Sequence, residues 1–248
     1  MPENERKYAI LHALIQEYVK NAEPVGSEVL REEHHLPWSS ATIRNDFAEL
    51  EAEGYLAKPH TSGGRVPTDK AYRHYVNSLL EEREALEKKY SGKLKSVADE
   101  VMEIQSPEEL MQAAAKILAR FTRHMIFGGV LDRETVYGSG LPELVGEPEF
   151  SERRRVADVA QFVEDFTENV FDMTHKLLKK DLELYIGEEN PVSEIRSCSL
   201  LMSDFRFSSG ERGFIAMLGP TRMRYDRNIA YLQHFTRNFN DNENVENS

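Results

Sequence analysis

The tightest constraint on the fold is one run, "SATIRNDFAELEAEGYLAKPHTSGGRVPTDKAYRHYV", from Ser40 to Val76. A helical period closes at Gly54, the residue type that most easily adopts the backbone conformation ending a helix. Two short extended segments, "GYLAKP" and "RVP", then flank the loop "HTSGG", which reads as a hairpin with a glycine turn. A second helix begins at Thr68, a capping residue, with Asp69 in the first turn where the helix dipole favours an acid. Upstream, residues 6–20 place Ile10, Leu11, Leu14, Ile15, Tyr18 and Val19 on one face of a helix. Pro24 breaks that pattern. A short helix over Ser27–His34 follows, with Ser27 as its cap and Val29 and Leu30 inward. Ser39 or Ser40 caps a third helix that runs to about Glu53. Tyr72, Tyr75, Val76, Leu79 and Leu80 form the apolar face of the fourth. Three short helices, a hairpin and a following helix make a winged helix-turn-helix over residues 1–80.

Laid out at about 100° per residue, the third helix turns Ile43, Phe47 and Leu50 inward. Ala41, Thr42, Asn45 and Ala48 face the other way, with Arg44 on the flank. That outer face is small and polar, so it can approach another surface closely. The chain carries a net charge of -12, so contact with nucleic acid requires a local basic patch. Residues 56–80 supply one: Lys58, Arg65, Lys70 and Arg73 stand against Asp69 alone. A helix entering the major groove would read base edges through Arg44 and Asn45. The Ser62-Gly63-Gly64 turn would be the wing tip and Arg65 would reach a groove or phosphate, while Lys58, Lys70 and Arg73 neutralise phosphates. The competing reading is a protein-interaction module without DNA affinity. In it Asn45 only solvates its helix and Arg44 pairs with Glu51.

The second half changes character. Residues 81–105 form a charged helical linker, interrupted near Ser91-Gly92. From Ser106 a capped helix opens with Pro107 at its first position. "HMIFGGVL", "RETVYGSGL", "DLELYIG", "CSLLMSDFRF" and "GFIAMLGP" read as strands, residues 153–184 as largely helical, and "RYDRNIAYLQHFTRNF" as a closing helix. Strands flanked by helices give an α+β regulatory domain over residues 106–239, followed by a disordered tail at 240–248. No apolar run is long enough for a membrane span and no export signal opens the chain. The single cysteine, Cys198, excludes an internal disulfide and fits the cytoplasm. Cys198 has no partner histidine set by spacing and reads as a buried thiol. His34 and His35 read as solvated, "GEENP" as a turn after a strand, and "GPTRMRYD" as a helix start capped by Thr221. No nucleophile, metal or cofactor constellation stands out, so an enzyme is not expected.

The motifs also carry a resemblance. "EPVGS", "SATIRNDFAELEAEGYL", "PHTSGGRVPTDKAYRHYVNSLL", and later "YIGEENP", "CSLL" and "LGPTRMRYD" resemble HrcA, the family of bacterial heat-inducible transcription repressors. The resemblance implies a winged helix, a GAF-like domain and a dimerising domain inserted into the latter. It implies a homodimer on double-stranded DNA at CIRCE, an inverted repeat upstream of chaperone operons. Activity would depend on the chaperonin GroEL, and heat would relieve repression. The DNA-facing candidates it implies are Ser39, Ser40, Thr42, Arg44 and Asn45 on the helix and Thr61, Ser62 and Arg65 on the wing. This chain departs from the pattern in three places. Ser39-Ser40 replaces the usual Ser-Pro, "TSGGR" replaces "TSAGR", and Ser151–Leu184 is too short for the inserted domain. Dimerisation would then run through residues 81–105 or 153–184. A winged-helix regulator with a small anionic effector at "GPTRMRYD" is the alternative.

Overall fold

The computed structural model describes residues 3–59, 63–99, 101 and 104–240. The chain divides into two compact units, Met1–Glu81 and Glu82–Ser248.

In the first unit, α1 (Glu3–Asn21), α2 (Ser27–Glu33) and α3 (Ser40–Ala52) lead into a minimal hairpin, β1 (Leu56–Ala57) and β2 (Val66–Pro67), and α4 (Asp69–Glu81) closes it. The hairpin is antiparallel, with Leu56 opposite Pro67 and Ala57 opposite Val66. Just before β2, Arg65 exchanges both backbone hydrogen bonds with Val25, each 2.9 Å. This staples the hairpin to the α1–α2 connection. Gly64 is the residue that permits it, since a Cβ there would lie 2.7 Å from the Pro24 carbonyl. Ile10, Leu11, Leu14 and Ile15 of α1 meet Leu30, Ile43, Phe47, Leu50, Tyr72 and Val76 in the core. The alternation of buried positions on α3 and α4 is the one their apolar periods predict. Gly54 has φ +78°, the left-handed conformation that ends α3.

Two expectations fail here. Ser27 is not the cap of α2: Gly26 holds that position and Ser27 is buried as the first helical residue. Val29 is 51% exposed while Leu30 is fully buried. Leu30 takes the inward position of this short helix, and Val29, about 100° round the axis, falls on the solvent side.

The second unit is a three-layer α+β structure. Its elements are α5 (Arg83–Asp99), α6 (Pro107–Thr122), β3 (Met125–Val130), β4 (Thr135–Ser139), α7 (Leu141–Val145), α8 (Arg153–Glu168), α9 (Val170–Leu177), β5 (Leu182–Ile186), β6 (Cys198–Arg206), β7 (Arg212–Pro220) and α10 (Tyr225–Asn240). The five strands order as β4-β3-β7-β6-β5, and every pairing is antiparallel. This is the arrangement of a GAF-like domain. Phe127, Phe214, Ala216, Leu200 and Met202 line one face against Phe162 and Phe166 of α8 and Leu177 of α9. The alternate residues look the other way, where Ser199 bonds Tyr225 of α10 and Phe205 packs on Phe235 and Phe239.

The break expected at Ser91-Gly92 is absent: α5 runs through both residues. Lys89 pairs with Asp226 at 3.0 Å, and Glu87 pairs with Arg237, so α5 lies along α10. That lateral support offsets the roughly 1 kcal/mol that an interior glycine costs a helix. Thr221 does not cap α10, which starts only at Tyr225; the Thr221 carbonyl instead accepts the Tyr225 hydroxyl at 2.6 Å. The helices expected over 153–184 end at Leu177, and an extended segment leads into β5. The tail beyond Asn240 lies outside the described residues.

Candidate nucleic-acid interface

The candidate surface is built on the start of α3. Ser39 is its N-cap, in extended conformation, and its Oγ accepts the Thr42 backbone N–H at 3.1 Å and contacts the Thr42 hydroxyl at 2.9 Å. This ties off one of the open donors of the first turn. Ile43, Phe47 and Leu50 anchor the inner face, and Arg44 and Asn45 are left exposed on the outer one. Among the described residues no hydrogen bond or ion pair engages either side chain. Glu51 is not Arg44's partner, because it accepts the Arg65 Nε at 2.8 Å. Ser39, Ser40, Thr42, Arg44 and Asn45 thus share one helical turn and a half, with a free guanidinium and a free carboxamide side by side.

The basic residues of the hairpin and α4 are less uniform. Lys58 is exposed, one step beyond the Ala57–Val66 pair. Arg65 stands across from it but is only 15% exposed in its side chain, with its charge met by Glu51 and its Nη1 3.4 Å from the Gly63 and Gly64 carbonyls. It braces the wing root. Lys70 donates to the Glu53 carbonyl at 2.7 Å and sits 4.3 Å above the Tyr55 ring. It closes the C-terminus of α3, where a cation is favoured. Arg73 is half-buried on α4. Thr61 and Ser62 lie outside the described residues.

Sequence reading missed what lies beneath. Asp46, next to Asn45, is 1% exposed and receives a two-pronged hydrogen bond from Arg6 of α1, Nε to Oδ2 at 3.0 Å and Nη2 to Oδ1 at 2.9 Å. Lys7 pairs with Glu53 and lies 3.7 Å from Glu49 at the other end of α3. On the far side of α1, His12 Nε2 is 3.4 Å from His74 Nδ1, and Tyr8 stacks on His74 with centroids 4.3 Å apart. Burial, then the neighbouring His74, pushes His12 down to about 4; burial lowers His74 as well.

The other sequence candidates settle into structural roles. Cys198 is fully buried and burial pushes its thiol up to about 12, too high for a nucleophile. His34 is held by Glu17 at 3.2 Å and is not simply solvated. In "GEENP", buried Asn190 donates to the Gly187, Ile195 and Cys198 carbonyls and shapes a turn. Arg222 is saturated by Glu147 and Glu149, which removes it as an anion site. Among the described residues no three metal-ligating side chains gather, and no helix is long and apolar enough to cross a membrane.

Comparison with known proteins bears on the whole chain. A family model described as "Winged helix-turn-helix transcription repressor, HrcA DNA-binding" matches residues 4–80. A second, "HrcA protein C terminal domain", matches residues 60–229. A "Heat-inducible transcription repressor HrcA" from Gloeobacter violaceus is 27% identical over 333 residues, covering 94% of this chain and 92% of the relative. One of the same description from Brevibacillus brevis is 26% identical, covering 93% and 95%. Because the first alignment spans 333 positions and uses 94% of a 248-residue chain, about a hundred positions of the relative have no counterpart here. A crystal structure of a hypothetical protein superposes with TM-score 0.75 at 18% identity over 97% of this chain and 98% of that one, which is a likeness of fold.

Proposed function

The chain belongs to the HrcA family, and from that premise we propose that it represses chaperone genes by binding a CIRCE-type inverted repeat as a homodimer. It carries the family's DNA-binding winged helix, and the family's proteins are transcription repressors rather than enzymes. The observation that carries the reading is the outer face of α3. Arg44 and Asn45 are exposed in the turn that follows the capped start, and these are the residue types that read guanine and adenine edges. Ser39, Ser40 and Thr42 sit where a helix start meets phosphate. Lys58 flanks the duplex with Thr61 and Ser62, Arg65 braces the wing from behind, and Lys70 and Arg73 add charge near the backbone.

The division of labour follows the sequence: residues 1–80 read DNA, 81–105 connect, and 106–239 regulate. Two copies place their α3 helices in successive major grooves, as an inverted repeat demands. Heat releases the operator by weakening the second unit, and GroEL returns the protein to its binding form in the cytoplasm.

Fluorescence anisotropy of the purified protein against a CIRCE duplex and a scrambled duplex, across a salt titration, tests this. Tight cognate and weak scrambled binding is the expected result. Equal, steeply salt-dependent binding to both refutes the operator, and binding to neither, with or without GroEL, refutes the function.

A further inference from the structure

We propose that Arg6 of α1 is a specificity-positioning residue, which sets the rotation of α3 about its axis through the buried Asp46 carboxylate. This rests on the DNA-reading role of α3 proposed above. The inner face of α3 is otherwise aliphatic and aromatic, with Ile43, Phe47 and Leu50 all within 2% of full burial. Apolar packing is non-directional and tolerates small rotations. A fork of two parallel N–H···O bonds does not. Asp46 follows Arg44 and Asn45 directly, so the fork acts within the same turn as the reading residues. Side-chain tips lie about 5–6 Å from a helix axis, and a turn of about 20° would displace them by roughly 2 Å. Two-pronged contact with a base edge is lost at that displacement, whereas contact of a flexible lysine with phosphate is not. The fork therefore bears on sequence discrimination more than on affinity for DNA at large.

Three full-length proteins test it: wild type, Arg6→Met/Asp46→Leu, and Arg6→Lys. The probe is the duplex that the wild type itself enriches from a random pool, against a scrambled duplex. An apolar pair of similar volume often maintains stability, so the double variant should hold its thermal midpoint and its salt slope. Its cognate-to-scrambled ratio should fall by about tenfold or more, the scale of one lost base contact. Arg6→Lys retains the charge but not the fork and should lose discrimination in the same way. If the double variant fails to fold, Arg6→Lys alone decides. Wild-type discrimination in either folded variant overturns the inference. A wild type that enriches no sequence overturns instead the DNA-reading premise, and the inference with it.

Discussion

In the first unit the buried Asp46 carboxylate meets the Arg6 fork, and buried Glu17 meets His34 and Asn21. In the second, His124 is 6% exposed and neither ring nitrogen has a hydrogen-bond partner; Thr135 Oγ1, Thr174 Oγ1, Asn190 Oδ1 and Asn228 Nδ2 are buried and unsatisfied too. Each such atom costs on the order of 1–3 kcal/mol against a satisfied one. The second unit also fixes geometry with buried polar groups, at Asn190 Nδ2 and the Ser199 hydroxyl, yet leaves these other atoms unmatched inside a larger core. Under the proposed function, that asymmetry would give a reading head of defined shape and a regulatory body that yields first on heating.

The asymmetry can be broken from either side, and the largest effect is expected in the aromatic core. Phe166 is fully buried against Phe127, Phe162 and Phe214, and Phe166→Ala should destabilise the second unit by about 4 kcal/mol. Calorimetry on the full chain should show the lower transition falling and the upper one staying. A common shift of both would mean that the units melt together. Next, Arg6→Ala strands the Asp46 carboxylate and should lower the first unit's transition by about 3 kcal/mol. An unchanged transition would show that the fork contributes nothing to stability. Arg44→Ala touches no core and should leave both transitions in place, yet weaken cognate DNA by about 2 kcal/mol with little change on scrambled DNA. Equal loss on both would assign Arg44 to phosphate.

The smallest effect carries the opposite sign. His124→Leu removes two unsatisfied atoms and should raise the second unit's stability by about 1 kcal/mol. It also isolates a pH dependence. Burial, and then Arg227 nearby, pushes His124 down to about 3 from an ordinary 6.5. The unfolded chain therefore takes up a proton that the folded one refuses, and stability declines as pH falls from about 6.5 toward 3. The slope from this one group approaches about 1.4 kcal/mol per pH unit. In His124→Leu the second unit's slope should flatten while the first, which retains His12 and His74, remains acid-sensitive. Matching slopes in wild type and variant would remove His124 from the account.

Much of this architecture was legible because it is written locally. The period of α3, the stop at Gly54, the Thr68 cap and the five strands each occupy a dozen residues or fewer and announce themselves by spacing. Ser27 and Val29 misled because a capping residue and an apolar neighbour signal a helix without fixing its phase. Ser91-Gly92 misled because a helix packed along another survives a glycine that an isolated one would not. The exposed Arg44 and Asn45 were visible from the apolar period alone. Arg6 and Asp46 were not: they stand 40 positions apart, and opposite charges at that distance leave no pattern in a chain that is 30% charged. Arg65 shows the converse. Its type and place suggested a free hand for DNA, and only the fold reveals that Glu51 holds it.

The two glycines of the wing are unequal before mutation. A Cβ on Gly63 would meet nothing within 4 Å, whereas one on Gly64 would strike the Pro24 carbonyl. The alanine that the HrcA resemblance implies in "TSAGR" falls at Gly63, where the fold leaves room for a methyl group. At residue 64 any side chain would unpick the staple beneath the wing.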